Sequence, residues 1–252
     1  MSSARANQSR IDLLVELMRG FECVDLPPTI ETGMPRWPTH PVVVVNPSIT
    51  HAHDGYYCQT LLMGEHTGSH VDAPAHILPD RMDRTIDTFP PNYLMAPAKV
   101  TSLVHRDFKP GELLKTDDLA AWEKEWHLSL DEGEVALLDF GWHRRYWRSD
   151  REWAWYALNS PGFDESACEF LANRKLRAIG VDTIACDEAV VDGRSSGTPG
   201  HREYFLPNDI LVMECLANLE KLNPTCFFVA LPLKIKNGSG SPLRAVAFQE
   251  KR

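Results

Sequence analysis

The sequence predicts an α/β (α+β) domain built on a mixed β-sheet, and three observations carry that expectation. Eight short runs of β-branched or apolar residues, each bounded by Gly, Pro, Asn or Asp, have the length and composition of strands. Helical signals lie between several of them and concentrate in the middle third of the chain. Across 252 residues no Gly/Ser/Pro-rich linker, internal repeat or low-complexity tract intervenes, so residues 1–252 read as one compact domain.

The elements follow in chain order. Ile11, Leu14, Leu17 and Met18 have the spacing of a short amphipathic helix, which makes residues 1–22 a helical arm that packs on its own domain or on a partner subunit. Strand signals then recur at Val42–Val45, Leu61–Met63, Lys99–Val104, Val135–Phe140, Ala178–Asp182, Ile210–Cys215, Cys226–Ile235 and Leu243–Phe248. Thr116-Asp117-Asp118 can cap a helix that runs through Trp126, and Pro161-Gly162 precedes a second one over Asp164–Arg174. Leu216–Leu222 can form a further turn or two. The polar stretch Asn237–Pro242 carries two glycines and reads as a hairpin or an active-site rim.

Composition removes several classes of function. The net charge is −9 and the 26 Lys and Arg are scattered, which argues against nucleic-acid binding. No apolar stretch is long enough to span a bilayer, and the first residues do not form a signal peptide. The six cysteines contain no C-x-x-C pair and sit mostly in apolar surroundings, as expected of reduced thiols in a cytoplasmic protein.

The chemistry concentrates in one segment. His66-Thr67-Gly68-Ser69-His70-Val71-Asp72-Ala73-Pro74-Ala75-His76 holds three histidines and an aspartate in eleven residues, spaced H-x-x-x-H-x-D-x-x-x-H. Imidazole and carboxylate are the ligand set of zinc, manganese or iron used in hydrolysis, and a centre with few protein ligands leaves positions open for water. A solvated loop explains one or two histidines, but not this density. Thr67-Gly68-Ser69 is poor helix material, so the segment reads as a strand end opening into a loop. His70 and Asp72, two apart in extended chain, then project to the same side. Pro74 stiffens the loop that presents His76.

Beyond this segment the match to a known pattern continues. Met34-Pro35-Arg36-Trp37-Pro38, Ile179-Gly180-Val181-Asp182-Thr183, Leu216–Leu222, Leu231-Pro232-Leu233-Lys234 and Gly240-Ser241-Pro242-Leu243-Arg244-Ala245 accompany it. Together with His66–His76 they resemble the metal-dependent cyclase family, which includes bacterial kynurenine formamidases, isatin hydrolase and trans-dienelactone hydrolase. The resemblance spans roughly Val24 to the C-terminus. It implies a β/β/α fold of the cyclase type, a homodimer or homotetramer, and His66, His70 and Asp72 as metal ligands with His76 as proton shuttle. Members with two metals add a histidine and a glutamate from the C-terminal half, where His201 and Glu214 stand here. Glu214 lies inside the apolar run Ile210–Cys215, where an unpaired charge is expensive to bury; an outward-facing edge residue is the alternative. Isatin-hydrolase-like members lack a carboxylate at that position, so one and two divalent ions per chain, Zn or Mn, both remain open.

The expected function is metal-dependent hydrolysis: a metal-bound water opens an amide, lactam or lactone carbonyl of a small, aromatic or cyclic metabolite. A metal brings the pKa of its water from about 16 to about 7. His76 has the ordinary pKa to carry the proton from nucleophile to leaving group. Trp37, Tyr56 and Tyr57 are candidate pocket aromatics, and Trp122, Trp126, Trp142, Trp147, Trp153 and Trp155 read as packing residues. Competing readings are weaker. Gly193-Arg194-Ser195-Ser196-Gly197 fits G-x-S-x-G, but Thr198-Pro199-Gly200 follows where a nucleophile elbow needs a helix. His51-x-His53-Asp54 reads as a solvated turn. A metal-dependent cyclase or lyase, or a binding protein on the same scaffold, stays open, although binding alone needs no histidine beyond the ligands.

Overall fold

The structure is a computed structural model that describes residues 9–188, 190–191, 194–195 and 197–251. Nine strands form its main sheet. In chain order they are β1 (Phe21–Asp25), β2 (His70–Asp72), β3 (Met95–Ser102), β4 (Val135–Asp139), β5 (Ala178–Val181), β6 (Leu211–Glu214), β7 (Thr225–Val229), β8 (Gly240–Pro242) and β9 (Val246–Glu250). Across the sheet they run β1-β9-β7-β3-β4-β5-β6-β2-β8. The middle four, β3 to β6, are parallel, and both flanks are antiparallel.

The parallel strands are apolar at nearly every position because both faces are covered. Ala136, Leu138, Ile179, Val181 and Val212 point into one core, where the helices Thr116–Trp126 and Glu165–Asn173 bury Leu119, Trp122, Ala167, Cys168 and Leu171. The alternate residues Val135, Leu137, Ala178, Leu211 and Met213 enter a second core with Leu216, Leu219, Leu222 and Phe228. Each helix start is tied down. Asp164 accepts the Ala167 N–H at 2.9 Å, and Asp118 accepts the Lys115 N–H at 2.9 Å. The Thr116 hydroxyl donates to the Ser166 carbonyl at 2.6 Å and joins the two.

Several expected elements move. The runs at Val42–Val45 and Leu61–Met63 belong to a separate ribbon, Val44–Ile49 paired with Cys58–Leu62, that leaves Val44, Leu61 and Leu62 exposed. The metal motif therefore does not end that strand; three of its residues form β2 in the main sheet. The last two expected strands, here β7 and β9, do pair antiparallel, but no tight turn joins them, since β8 lies between them in the chain and pairs with β2. The arm is the helix Arg10–Gly20, which runs straight into β1 and buries none of its residues. Among the tryptophans Trp122 and Trp142 are buried, whereas Trp126 and Trp155 are exposed.

The loop after β4 turns on Asp182, whose carboxylate accepts the N–H groups of Phe140, Trp142 and His143 at 2.9, 2.6 and 3.1 Å. The His143 ring stacks on Trp147, and its buried Nε2 has no partner among the described residues. Burial lowers this imidazole to about 4. Between that value and the ordinary one near 6.5, the unfolded chain binds a proton that the native protein refuses, so native stability falls as pH drops through the window. His143→Phe keeps the stacked ring and removes the titration. Urea unfolding at several pH values should show the variant gaining on the order of 1–3 kcal/mol over wild type between pH 6.5 and 4. A pH-independent difference would refute the neutral buried imidazole.

Candidate metal centre

The site forms where the parallel strands end. Glu214 closes β6, and its register partner on the antiparallel β2 is His70. Val71 faces the second core, so His70 and Asp72 share the opposite face with Glu214. His201 arrives from the π-helical turn Gly200–Phe205. His66 precedes β2, and His76 ends the 3₁₀ turn Pro74–His76. These residues line a cavity of about 200 Å³ whose other walls include Trp37, His40, Ile77, Ile184, Ala185 and Arg202.

The donor atoms converge in two sets. His70 Nε2 stands 3.4 Å from Asp72 Oδ1 and 3.5 Å from Glu214 Oε2. His201 Nε2 stands 3.3 Å from Asp72 Oδ2 and 3.4 Å from Glu214 Oε1. Each imidazole thus faces one oxygen of each of the same two carboxylates. Donors on a tetrahedral ion at about 2.0–2.2 Å lie about 3.3–3.6 Å apart, so both sets have the spacing of metal ligands. His66 Nδ1 adds a contact to Asp72 Oδ1 at 2.5 Å, and His76 also comes within ligand reach of His66 and Asp72.

Hydrogen bonds set the tautomers. His70 Nδ1–H donates to the Gly68 carbonyl at 2.8 Å, which leaves Nε2 free to ligate. His66 is reversed: its Nε2 meets Ser239 Oγ at 2.8 Å, and that hydroxyl donates to Glu65 Oε2 at 2.6 Å, which leaves Nδ1 toward Asp72. Asp72, His66 and Ser239 stand in the order of a hydrolytic triad, but Glu65 takes the hydroxyl proton that a nucleophilic serine would give to histidine. The serine of the G-x-S-x-G stretch is on the two-residue strand Arg194–Ser195, with Gly193 and Ser196 outside the described residues.

The electrostatics favour positive charge between the carboxylates. Burial would raise the Asp72 carboxyl, yet the imidazoles of His66, His76 and His70 hold it well below its usual range. Burial would lower His70, but Asp72 and Glu214 outweigh it and raise the ring to about 9. His201 is likewise raised well above its ordinary value by its acidic neighbours against the effect of burial. These rings bind protons where a divalent ion would supply the charge, which is the proton-for-metal exchange expected of such ligands. His76 behaves oppositely. Burial, helped by His66 and His201, lowers it to about 4 against the pull of Asp72. It is therefore a neutral base at neutral pH, with its ring 3.9 Å from that of His66.

Most residues singled out from sequence meet here: His66, His70, Asp72, His76, His201, Glu214 and Trp37. Tyr56 and Tyr57 do not. They are 56% and 51% exposed and absent from the cavity walls, because the ribbon that carries them is no part of the main sheet. His51 and His53 are exposed on a helical turn. Sequence reasoning missed Glu65, Ser239 and Asp187. Ser239 lies in the polar stretch flagged as a site rim; Glu65 and Asp187 carry no local signal.

The family model described as "Putative cyclase" matches residues 24–188. The chain belongs to this cyclase family. His201 and Glu214 lie beyond the matched stretch. Among curated members of the cyclase family, isatin hydrolase of Roseibium aggregatum is 32% identical over 201 residues, covering 76% of this chain and 74% of its own length. Kynurenine formamidase of Paracidovorax citrulli is 29% identical over 188 residues, covering 74% and 77%. Among solved structures, an isatin hydrolase bound to the product analogue thioisatinate superposes with a TM-score of 0.85 at 27% identity, over 97% of this chain and 100% of that one. Isatin hydrolase A from Ralstonia solanacearum gives 0.82 at 29% identity, over 98% and 100%.

One wall of the centre is glycine by necessity. A Cβ on Gly240 would fall 2.5 Å from His66 Cε1 and 2.5 Å from the Val71 carbonyl. Gly240→Ala should displace His66, cost about 1–3 kcal/mol and weaken binding of added zinc at least about tenfold. Isothermal titration of the metal-stripped protein measures this, and unaltered affinity would contradict the placement of His66 in the centre.

Proposed function

We propose that this protein is a divalent-metal-dependent hydrolase that opens an amide or lactam carbonyl of a small aromatic metabolite, as the names of its isatin hydrolase and kynurenine formamidase relatives describe for them. One observation carries the reading: His70 and His201 face opposite oxygens of the two buried carboxylates Asp72 and Glu214, beside a neutral His76, in one cavity. Were two ions bound, Asp72 and Glu214 would be available to both. His66 and His70 serve one position and His201 the other. Nitrogen and oxygen donors without thiolate suit Zn or Mn. When bound, such ions polarise a carbonyl and make water acidic enough to attack it at neutral pH.

The chain's own groups do the rest. His76 takes the proton of the attacking water and returns it to the leaving nitrogen, a shuttle that needs the unprotonated ring described above. Trp37 offers a flat face to an aromatic substrate, and Ile77, Ile184 and Ala185 make the inner walls apolar. A cavity of about 200 Å³ suits a metabolite of one or two rings.

The surface and the cysteines support a setting for this activity. No helix among the described residues is long and apolar enough to cross a membrane, and all six cysteines are free, which supports a reducing, cytoplasmic location. Ile11, Leu14, Leu17 and Met18 are exposed on the first helix, so a homodimer or homotetramer that covers them is part of this reading. Light scattering of a Leu14→Glu/Leu17→Glu variant should report a smaller assembly than wild type. An unchanged mass would remove that helix from the interface.

Turnover of isatin and N-formylkynurenine, followed by absorbance with and without chelator, tests the activity. Hydrolysis that stops with chelator and survives serine reagents is expected. His70→Ala should lose metal and activity together. His76→Ala should keep the metal and lose roughly 10²–10⁴ in rate. A His76→Ala enzyme that retains full rate would end the shuttle assignment, and one that loses the metal would make His76 a ligand.

A further inference from the structure

One short segment supports the far half of the centre. Beyond the end of β5, the Cys186 N–H donates to Glu214 Oε1 at 3.0 Å. The next residue, Asp187, is buried, and its Oδ2 accepts both the His201 backbone N–H at 3.0 Å and the His201 ring Nδ1 at 3.1 Å. Consecutive residues thus hold the two ligands, Glu214 and His201, that complete the second donor set with Asp72.

The surroundings bring Asp187 onto His201 at the expense of ordinary packing and pairing. A Cβ on Gly200 would fall 2.9 Å from Asp187 Oδ2 and 2.7 Å from the Phe205 ring, so only glycine admits the carboxylate there. The Phe163 N–H, bonded to the Cys186 carbonyl at 2.9 Å, pins the segment from the other side. Asp187 Oδ1 is buried with no partner among the described residues. Cys186, Asp187 and His201 also lie close enough to hold an ion themselves. The Nδ1–H···Oδ2 bond already accounts for the approach of these three residues.

We propose that Asp187 is the positioning residue of His201: it holds the proton on Nδ1 and fixes the ring plane, so that Nε2 presents its lone pair between Asp72 and Glu214. Through that bond it sets the affinity of the ion that His201 holds, without touching substrate. This rests on the reading of His201 as a metal ligand. Carboxylate support of a metal-bound histidine is worth about 10–100-fold in affinity.

The test uses the full chain, stripped of metal and titrated with zinc against a chromophoric chelator. His201→Ala should lose one ion. Asp187→Ala should bind that ion about 10–100-fold more weakly, while the ion held by His66 and His70 keeps its affinity. Asp187→Asn, whose amide oxygen can still accept from Nδ1–H, should fall between wild type and Asp187→Ala and guards against a variant that fails to fold. In nitrogen-15 NMR of the zinc-loaded protein, the His201 Nδ1 proton should be protected in wild type and lost in Asp187→Ala. Undiminished affinity in both Asp187 variants, or equal weakening of both ions, would overturn the proposal. A silent His201→Ala would overturn it too, and would at the same time strike the two-ion reading itself.

Discussion

Two carboxylates buried side by side impose the terms on the rest of the molecule. Asp72 and Glu214 stand on adjacent strands within a few ångströms of one another, both almost fully shielded from water. The penalty for burying such charges is several kcal/mol per ion unless positive charge lies between them. Four of the histidines in the cavity can be understood by their answer to that demand. His66, His70 and His201 turn a nitrogen toward the pair, and each has its other nitrogen occupied by Ser239, Gly68 or Asp187. His76 comes close enough to feel the pair yet stays neutral, because burial and the neighbouring imidazoles outweigh the carboxylates' attraction. The same field that prepares three rings to ligate leaves a fourth able to accept a proton.

The sheet supplies that juxtaposition by mixing its directions. Parallel β4, β5 and β6 end at one edge, which is where α/β sheets gather ligands. The antiparallel β2 then enters from the opposite sense and lays His70 across from Glu214. Had β2 joined in parallel, the end of β6 would have met the end of that strand rather than His70 at its start. The period of two does the remaining work, since Val71 goes to the core and its neighbours to the cavity.

What could be read from the sequence was what is local. The density of ligands over His66–His76 needs no partner to be recognised, and neither do the fully apolar runs that became β4, β5 and β6. The three-residue strands β2 and β8 have no such signature; they are strands only because they pair with one another and with β6. Tyr56 and Tyr57 are aromatics near a strand terminus, which suits a pocket wall, but the strand beside them belongs to the independent ribbon and they do not line the cavity. Glu214 was legible as an anomaly, a charge in an apolar run. Asp187 was not, because a carboxylate in a loop looks like any solvated turn until His201, fourteen positions later, folds back on it.

The origin of the ligands along the chain has a consequence for how the protein comes into being. Residues 66–76, 201 and 214 must meet, and Ser239 and Gly240 must arrive behind His66, before the centre is complete. About two-thirds of the sequence separates the first component from the last, so these are contacts of high order. A nascent chain emerging in order has its densest ligand cluster early and nothing to brace it. Metal held by such a fragment would lack the geometry that distinguishes this centre from any histidine-rich loop. A centre braced by Ser239 and Gly240 is one whose geometry reports that the last strands are in place.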